Sequence, residues 1–484
     1  MDITRRASDK ILLSIFAYVM DPPSILPPSA GDPCLVLLAV CSRWRQIILH
    51  SRNRWTNLVI SPTVSSNRFN GDVEFNRCWL NVDIQRRSGY WLEVRILHFK
   101  KPLASGQNGG IQNTSPGEIN ILEDIVLPAA MRTKYLSLPL CCNRAAESFL
   151  SNPPGHFYFL ENIEISLPRC HEPDPGTGAT KFSKPVTVFQ NLPFLRSASI
   201  TINNTLDPLT LLLPWHQLTT INMAYTTISP RTFFVILSKA FPSLSAGFFT
   251  INFTTKNRLS SSFIKKNRIT IITSLKVEHL HLRLIDPSLD HHLFTLIRFP
   301  ALVTLRVDLS DSNAGWMMGM FHPILCSSSA TLRNLTFFDL KGFGHNIPRP
   351  MEQDLDYIFA LLPMVRRLRL PFGLYIPNPT MELISMGMLL PSLEALDVTS
   401  PTGLEILTMV KERNELAYLR SGLVGSSNAA LRADYHAPPR FSEIILWTSK
   451  SQEKWVTNRK VLVRSRSSSE NTQFTIHYVD QSLF

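Results

Sequence analysis

The sequence predicts an α/β repeat fold, a leucine-rich-repeat-like solenoid of parallel strands alternating with helices, preceded by a small three-helix domain. Two observations carry the repeat: one short apolar pattern returns from about residue 190, and apolar stretches of helical length lie between its copies. A third observation carries the helical start. The first sixty residues hold three short runs with helical spacing, interrupted by a proline-rich gap.

In "ASDKILLSIFAYVM", Ser8 is placed to cap a helix and Asp9 suits the positive end of its dipole. Ile11, Leu12, Ile15, Phe16 and Val19 then recur at helical spacing and make one broad apolar face. The stretch "DPPSILPPSAGDP" ends it, because five prolines forbid a regular helix. A second helix can begin with Asp32 as cap and Pro33 in its first turn, carrying Leu35, Val36, Leu38 and Val40 inward. A third restarts at Ser42, with Trp44, Ile47 and Ile48 on its apolar side. Three helices of this size cannot bury so many large side chains against one another, so the surplus requires a partner or a neighbouring domain.

The repeating pattern is an optional proline, an apolar residue, two others, an apolar residue, one other, and an apolar residue. It reads "LPFLRSASITI", "LPWHQLTTINM", "FPSLSAGFFTI", "TSLKVEHLHL", "FPALVTLRVDL", "ATLRNLTFFDL", "LPMVRRLRL" and "LPSLEALDV". Its first apolar positions, Leu195, Leu218, Leu244, Val277, Leu302, Leu332, Val365 and Leu393, lie 23 to 33 residues apart, close to the leucine-rich-repeat range. The last two apolar residues of each copy sit two apart on a short strand and point into a shared core, while their neighbours face out. Candidate helices between strands are "TFFVILSKAF", "LDHHLFTLIRF", "EQDLDYIFALL" and "MELISMGMLL". Stacking one strand and one helix per repeat buries successive faces on one another.

The repeat lengths are irregular, and the Asn that strict leucine-rich repeats carry after the strand is absent, so the array is degenerate. Weaker copies at "WLEVRILHF", "KYLSLPL" and "FLENIEISL" would place its start near residue 70. The end, "FSEIILWTS", "KVLVRSRSSS" and "TQFTIHYVD", reads as strands or a ragged cap. The expected organisation is therefore a three-helix domain at 1–60, a linking segment with irregular first repeats at 61–185, the array at 186–434 and a cap at 435–484.

With 484 residues, 44% of them hydrophobic and 18% charged, the chain can bury a large core, which excludes a disordered class. The formal charge of +12 would suit an acidic partner. The basic residues are scattered, so nucleic-acid binding is not the expectation. Seven cysteines form no CxxC pair and no framework, as for reduced thiols in an intracellular protein. The start "MDITRRASDK" lacks an apolar secretory stretch, and no window reaches the roughly 18 apolar residues that span a bilayer. A protein of cytosol or nucleus, with no membrane association, is expected.

No catalytic chemistry is legible. "ASGQNGG" and "VGSSN" fit neither the dinucleotide nor the P-loop spacing, and "GLVGSSNAA" lacks the G-x-S-x-G elbow. His279, His281, His291 and His292 invite a metal reading, but no Cys or carboxylate has a matching spacing. Neither metal nor cofactor is expected. Glu352, Asp354 and Asp356 open an apolar helix, where negative charge suits the dipole.

Binding is the better expectation. The outward positions of successive strands are His279, His281 and Arg283, then Thr304, Arg306 and Asp308, then Asn334 and Thr336, then Arg367 and Arg369. The candidate substrate-binding residues are therefore His279, His281, Arg283, Arg306, Arg367 and Arg369. A face so basic favours an acidic or phosphorylated segment, which arginine clamps with two parallel hydrogen bonds.

The run "ILLSIFAYV", the proline-rich gap and "LVLLAVCSRWRQIILHSRNRWTNLVI" together resemble an F-box, in the form found in the expanded F-box families of fungi. The most specific part is Val40, Cys41, Arg43, Trp44 and Arg45, followed by Trp55 and Leu58. The resemblance implies that the three helices dock on the small Skp-type adaptor of a cullin-RING ubiquitin ligase while the rest of the chain selects a target protein. By position, Ile11, Leu12, Ile15, Phe16, Leu35, Leu38, Cys41 and Trp44 would form or support the adaptor surface. Where that family usually has Leu-Pro and an acidic residue before the first helix, this chain has Ala7-Ser8 and Lys10. Two readings follow: a substrate-recognition subunit of the ligase, or a repeat-based interaction scaffold whose degenerate F-box leaves the adaptor unbound.

Overall fold

The computed structural model describes residues 7–19, 24–26, 33–50, 57–60, 92–96, 122, 126–139, 148–167, 186–202, 207–254, 271–286, 292–310, 318–339, 352–423, 438–466 and 472–479. Trp55, His291 and the side chains of Leu35 and His292 lie outside this description. The chain divides into two compact units, Met1–Leu218 and Thr219–Phe484.

The first unit opens with three helices, α1 (Asp9–Val19), α2 (Pro33–Val40) and α3 (Ser42–His50). The Ser8 hydroxyl accepts the Ile11 N–H at 3.4 Å and its carbonyl accepts that of Leu12 at 3.0 Å, so the predicted cap is in place. Leu12, Phe16, Ile47 and Ile48 form the buried cluster, with Ala7, Leu37, Leu38 and Trp44 packed against it.

Strand β1 (Ser24–Leu26) lies inside the proline-rich gap and pairs in parallel with β2 (Asn57–Ile60). Strand pairing therefore begins within the segment expected to be helical only. Runs of three and four residues are too short for alternation to register in a sequence. The sheet continues with β3 (Leu92–Ile96), β4 (Thr133–Pro139), β5 (Asn162–Leu167) and β6 (Ser197–Ile202), each parallel to the strand before it. These coincide with the weaker copies and the first strong copy of the repeat pattern.

The second unit carries β7 (Thr220–Ile228), β8 (Ala246–Asn252), β9 (Ile272–Thr273), β10 (His279–Ile285), β11 (Ile297–Arg298), β12 (Thr304–Leu309), β13 (Asn334–Asp339), β14 (Arg367–Arg369), β15 (Ala395–Thr399), β16 (Glu443–Ser449) and β17 (Gln473–Val479). β9 and β11 make a separate parallel pair. The others form one parallel run in chain order. Six of the crossovers hold a helix that covers the sheet: Pro230–Ala240, His322–Ser328, Glu352–Ala360, Asn378–Ser385, Leu404–Leu423 and Glu453–Arg466.

The repeat has a physical signature beyond its spacing. All eight first apolar positions, Leu195 to Leu393, have no exposed surface. Just before each strand, the chain of one repeat donates a main-chain N–H to the carbonyl of the repeat before. In the second unit these bonds run Ser245 to Thr219, Glu278 to Ser245, Val303 to Glu278, Arg333 to Val303, Arg366 to Arg333, Glu394 to Arg366 and Ser442 to Glu394, all between 2.7 and 2.9 Å. Behind the sheet, Phe253, Phe294, Phe321 and Phe337 follow one another at centroid separations of 5.2 to 6.3 Å, filling the layer with aromatic edges.

Two expected elements differ. Among the described residues of "LDHHLFTLIRF", the helix runs over His292–Thr295 and stops there, because Ile297 and Arg298 pair with Ile272 and Thr273 instead. The valines of "KVLVRSRSSS" belong to the helix Glu453–Arg466, not to a strand; Glu453 opens it at the positive end of the dipole. β16 and β17 keep the parallel register, so residues 435–484 contribute two further strands and a helix to the second unit. Among the described residues no helix is long and apolar enough to cross a membrane.

Candidate functional site

Two surfaces collect the candidate residues, one in each unit. On the three helices, the residues at i and i+4 divide into two sets. Leu12 and Phe16 point into the cluster at 3% and 1% exposure, while Ile11 and Ile15, one position earlier, are 54% and 50% exposed. Val19, Val36 and Val40 are exposed as well. This corrects the expectation that Val36 and Val40 turn inward: α2 is apolar all round and only eight residues long, so it cannot bury every side. Leu38 is half-buried and Cys41 exposed.

Of the residues that carry the F-box resemblance, Cys41, Arg43, Trp44 and Arg45 make contacts within this small fold. Trp44 meets Phe16 edge-on at 4.8 Å, and its main-chain N–H donates to the Cys41 sulfur at 3.5 Å. Arg43 joins Asp9 at 2.6 and 3.0 Å and donates to the Ala7 carbonyl, tying α3 to the start of α1. Arg45 donates to the Leu38 carbonyl near the C-terminal end of α2, where a cation is favoured.

In the second unit, strand alternation places the other candidates on the face opposite the helices. Leu280, Leu282 and Leu284 are buried, and His279, His281 and Arg283 lie on the other side of β10. Register then sets one row across the strands: Phe248, His281, Arg306, Thr336, Arg369 and Asp397 are successive partners. A second row runs through Thr250, Arg283 and Asp308. Arg367 lies with His279, Thr304 and Asn334 in a third.

Asp308 alters the expected charge of this face. It has no exposed surface, accepts Arg306 at 2.8 and 3.2 Å, and meets His281 Nε2 at 2.6 Å. Burial pushes its carboxyl up, but the hydrogen bonds and charges of His281 and Arg306 outweigh burial and hold it below its ordinary value. His281 stacks on Phe248 with centroids 3.8 Å apart, and the Arg283 guanidinium lies 5.9 Å from the same ring.

A comparable group forms at the far end. Asp397 accepts Trp447 Nε1 at 3.0 Å and pairs with Arg369 at 3.0 Å, and Trp447 stacks on His477 at 4.1 Å. Here burial prevails over Arg369 and Trp447, and the carboxyl is pushed above its ordinary value. The face is thus less basic than its arginines suggest, since Arg306 and Arg369 are each held by a carboxylate. Phe248, Asp397, Trp447 and His477 escaped the sequence reading; only their outward place in each strand could have flagged them.

His279 and His281 share β10 but not a metal-ligand set. Among the described residues, no group of three or more His, Cys, Asp or Glu side chains is placed to hold a metal ion. Asp356 accepts the Thr380 hydroxyl at 2.6 Å, joining two neighbouring helices.

No family model matches the chain, and no curated protein matches it.

Proposed function

We propose that this chain is the substrate-recognition subunit of a Skp/cullin/F-box-type ubiquitin ligase, holding the Skp-type adaptor through α1–α3 and a target protein through its repeat face. The observation that carries the reading is the split of the first two helices. Leu12 and Phe16 complete a core with Ile47 and Ile48, and Ile11, Ile15, Val19, Val36 and Val40 remain 44% to 54% exposed. So many large apolar groups on two helices of 11 and 8 residues mark a surface that another protein covers.

No catalytic residue is required of such a subunit. It raises the effective concentration of a target lysine beside the ligase's charged ubiquitin carrier, which is a gain by proximity. The parallel strands suit the second task, since successive repeats present an extended row of outward side chains. Affinity capture of the tagged full chain tests the reading: adaptor and cullin should co-purify with it. The alternative, a repeat-based scaffold that leaves the adaptor unbound, has the Ala7-Ser8 and Lys10 departure in its favour and predicts capture of other proteins without either component.

A further inference from the structure

Of the four arginines on the outward face, Arg306 and Arg369 are held by buried or half-buried carboxylates. Arg367 is exposed, where water serves its donors. Arg283 is different. It is half-buried on β10, and its Nε is covered yet meets no hydrogen-bond acceptor among the described residues. Asp308, its in-register neighbour on β12, is engaged by His281 and Arg306 instead. A covered N–H on a permanently charged group is costly without an acceptor, and such a group in a folded protein calls for one from outside the chain.

The surroundings are built rather than incidental. The β7–β8 register shifts between Met223 and Thr227, so the intervening residues bulge from the ladder, and Tyr225 within the bulge is 73% exposed. Thr250, in register with Arg283, donates its hydroxyl to the Ala224 carbonyl at 2.6 Å and fastens the bulge to the strand beside Arg283. Phe248, against which the guanidinium lies, is fixed by its stack on His281, and His281 by Asp308. Bulges of this kind re-aim side chains next to binding sites.

We infer that Arg283 is the carboxylate-selecting residue of this face: an aspartate or glutamate side chain of a bound protein segment completes its hydrogen bonds, beside the β7 bulge and Tyr225. The inference rests on the reading that the repeat face captures a target protein. Because Nε is covered, the ligand reaches it only after the Arg283 side chain moves. A nucleic-acid backbone is the poorer fit. It asks for a row of unneutralised cations, and here the neighbouring arginine already has its carboxylate.

The test is to pan a phage-displayed library of random octapeptides against the full chain and against Arg283→Glu. The wild-type chain should enrich peptides with Asp or Glu at one fixed position. The variant should lose that preference by at least tenfold and favour Lys or Arg there. An acidic preference unchanged in Arg283→Glu, or absent from the wild-type chain, overturns the inference. So does an equal loss in Arg367→Glu, which would mean general attraction. A selected peptide that binds only with phosphoserine at the fixed position would overturn the carboxylate assignment, and one displaced by a poly-uridine oligonucleotide would overturn the choice of protein ligand. Adaptor binding is measured on the same proteins: if it is absent while the selection stands, the ligase reading falls and the role of Arg283 does not.

Discussion

Replacing Arg413 by methionine should loosen the helix Leu404–Leu423 without unfolding the chain. Arg413 has no exposed surface and pairs with no carboxylate among the described residues; it donates to the carbonyls of Ile384 (2.5 Å), Leu390 (3.0 Å), Pro391 (3.1 Å), Leu393 (3.3 Å) and Pro439 (3.3 Å). The Ile384 and Leu390 oxygens also accept main-chain N–H groups from Gly387 and Leu393. Those of Pro391, Leu393 and Pro439 have no second donor among the described residues. Burial lowers the guanidinium from 12.5 to about 10, so it keeps its charge at neutral pH and its desolvation opposes folding. Methionine removes that cost, roughly 3 kcal/mol, but orphans three carbonyls at about 2 kcal/mol each, leaving a net loss of about 3 kcal/mol.

Local opening of the helix should then become roughly a hundredfold more frequent. Amide hydrogen exchange resolved to peptides of Leu404–Leu423 reads this directly. Exchange should accelerate about a hundredfold in Arg413→Met and by less in Arg413→Lys, since an ammonium reaches fewer of the five oxygens. Exchange within threefold of the wild-type rate would refute the reasoning, because the carbonyls would then have found other donors.

The two buried aspartates should respond to pH in opposite senses. Asp308 is held below its ordinary value of 3.8, so its contribution is present above that value and is lost as pH falls through its folded-state value. Asp397 is raised, so its ionised form opposes folding, and stability grows as pH falls through its folded-state value. Thermal melts at pH 7 should show Asp308→Asn destabilised by about 3 kcal/mol and Asp397→Asn by under about 1 kcal/mol; equal losses would contradict the assignment. Phe16→Ala should cost about 3 kcal/mol or more and melt α1–α3, whereas Ile15→Ser should leave their circular dichroism unchanged. Gly403→Ala should lower the melting temperature, because Gly403 sits at φ +67° and an added Cβ would lie 3.0 Å from the Thr448 hydroxyl and 3.2 Å from both Leu446 and Val456. A melting temperature equal to wild type would show that these neighbours give way.

The repeat was legible because its signal is local. A leucine or valine that must fill the same layer in every copy recurs at the same place in each pattern, and Leu195 through Leu393 are all buried as that logic requires. The site was legible only as a list. His281 and Asp308 are 27 residues apart in sequence and Trp447 and Asp397 are 50 apart, so strand register alone brings them together, as it does Arg369 and Asp397; Arg306 and Asp308 are two apart on one strand and were legible as neighbours on the outward face but not as an ion pair. Helical periodicity likewise found the apolar face of α1 but not its division. Ile11 and Ile15 share the spacing of Leu12 and Phe16, and only the position of α3 decides which pair is covered. β1 lay hidden among prolines, where three residues carry no periodic signal.

The most direct test of the central claim is gel filtration of the full chain co-expressed with a Skp-type adaptor, beside an Ile11→Asp, Ile15→Asp variant. Both positions are exposed, so the variant should fold as the wild type does. A one-to-one complex that the variant loses is the predicted result; a well-folded wild-type chain that elutes alone, or a complex that survives both substitutions, would contradict it.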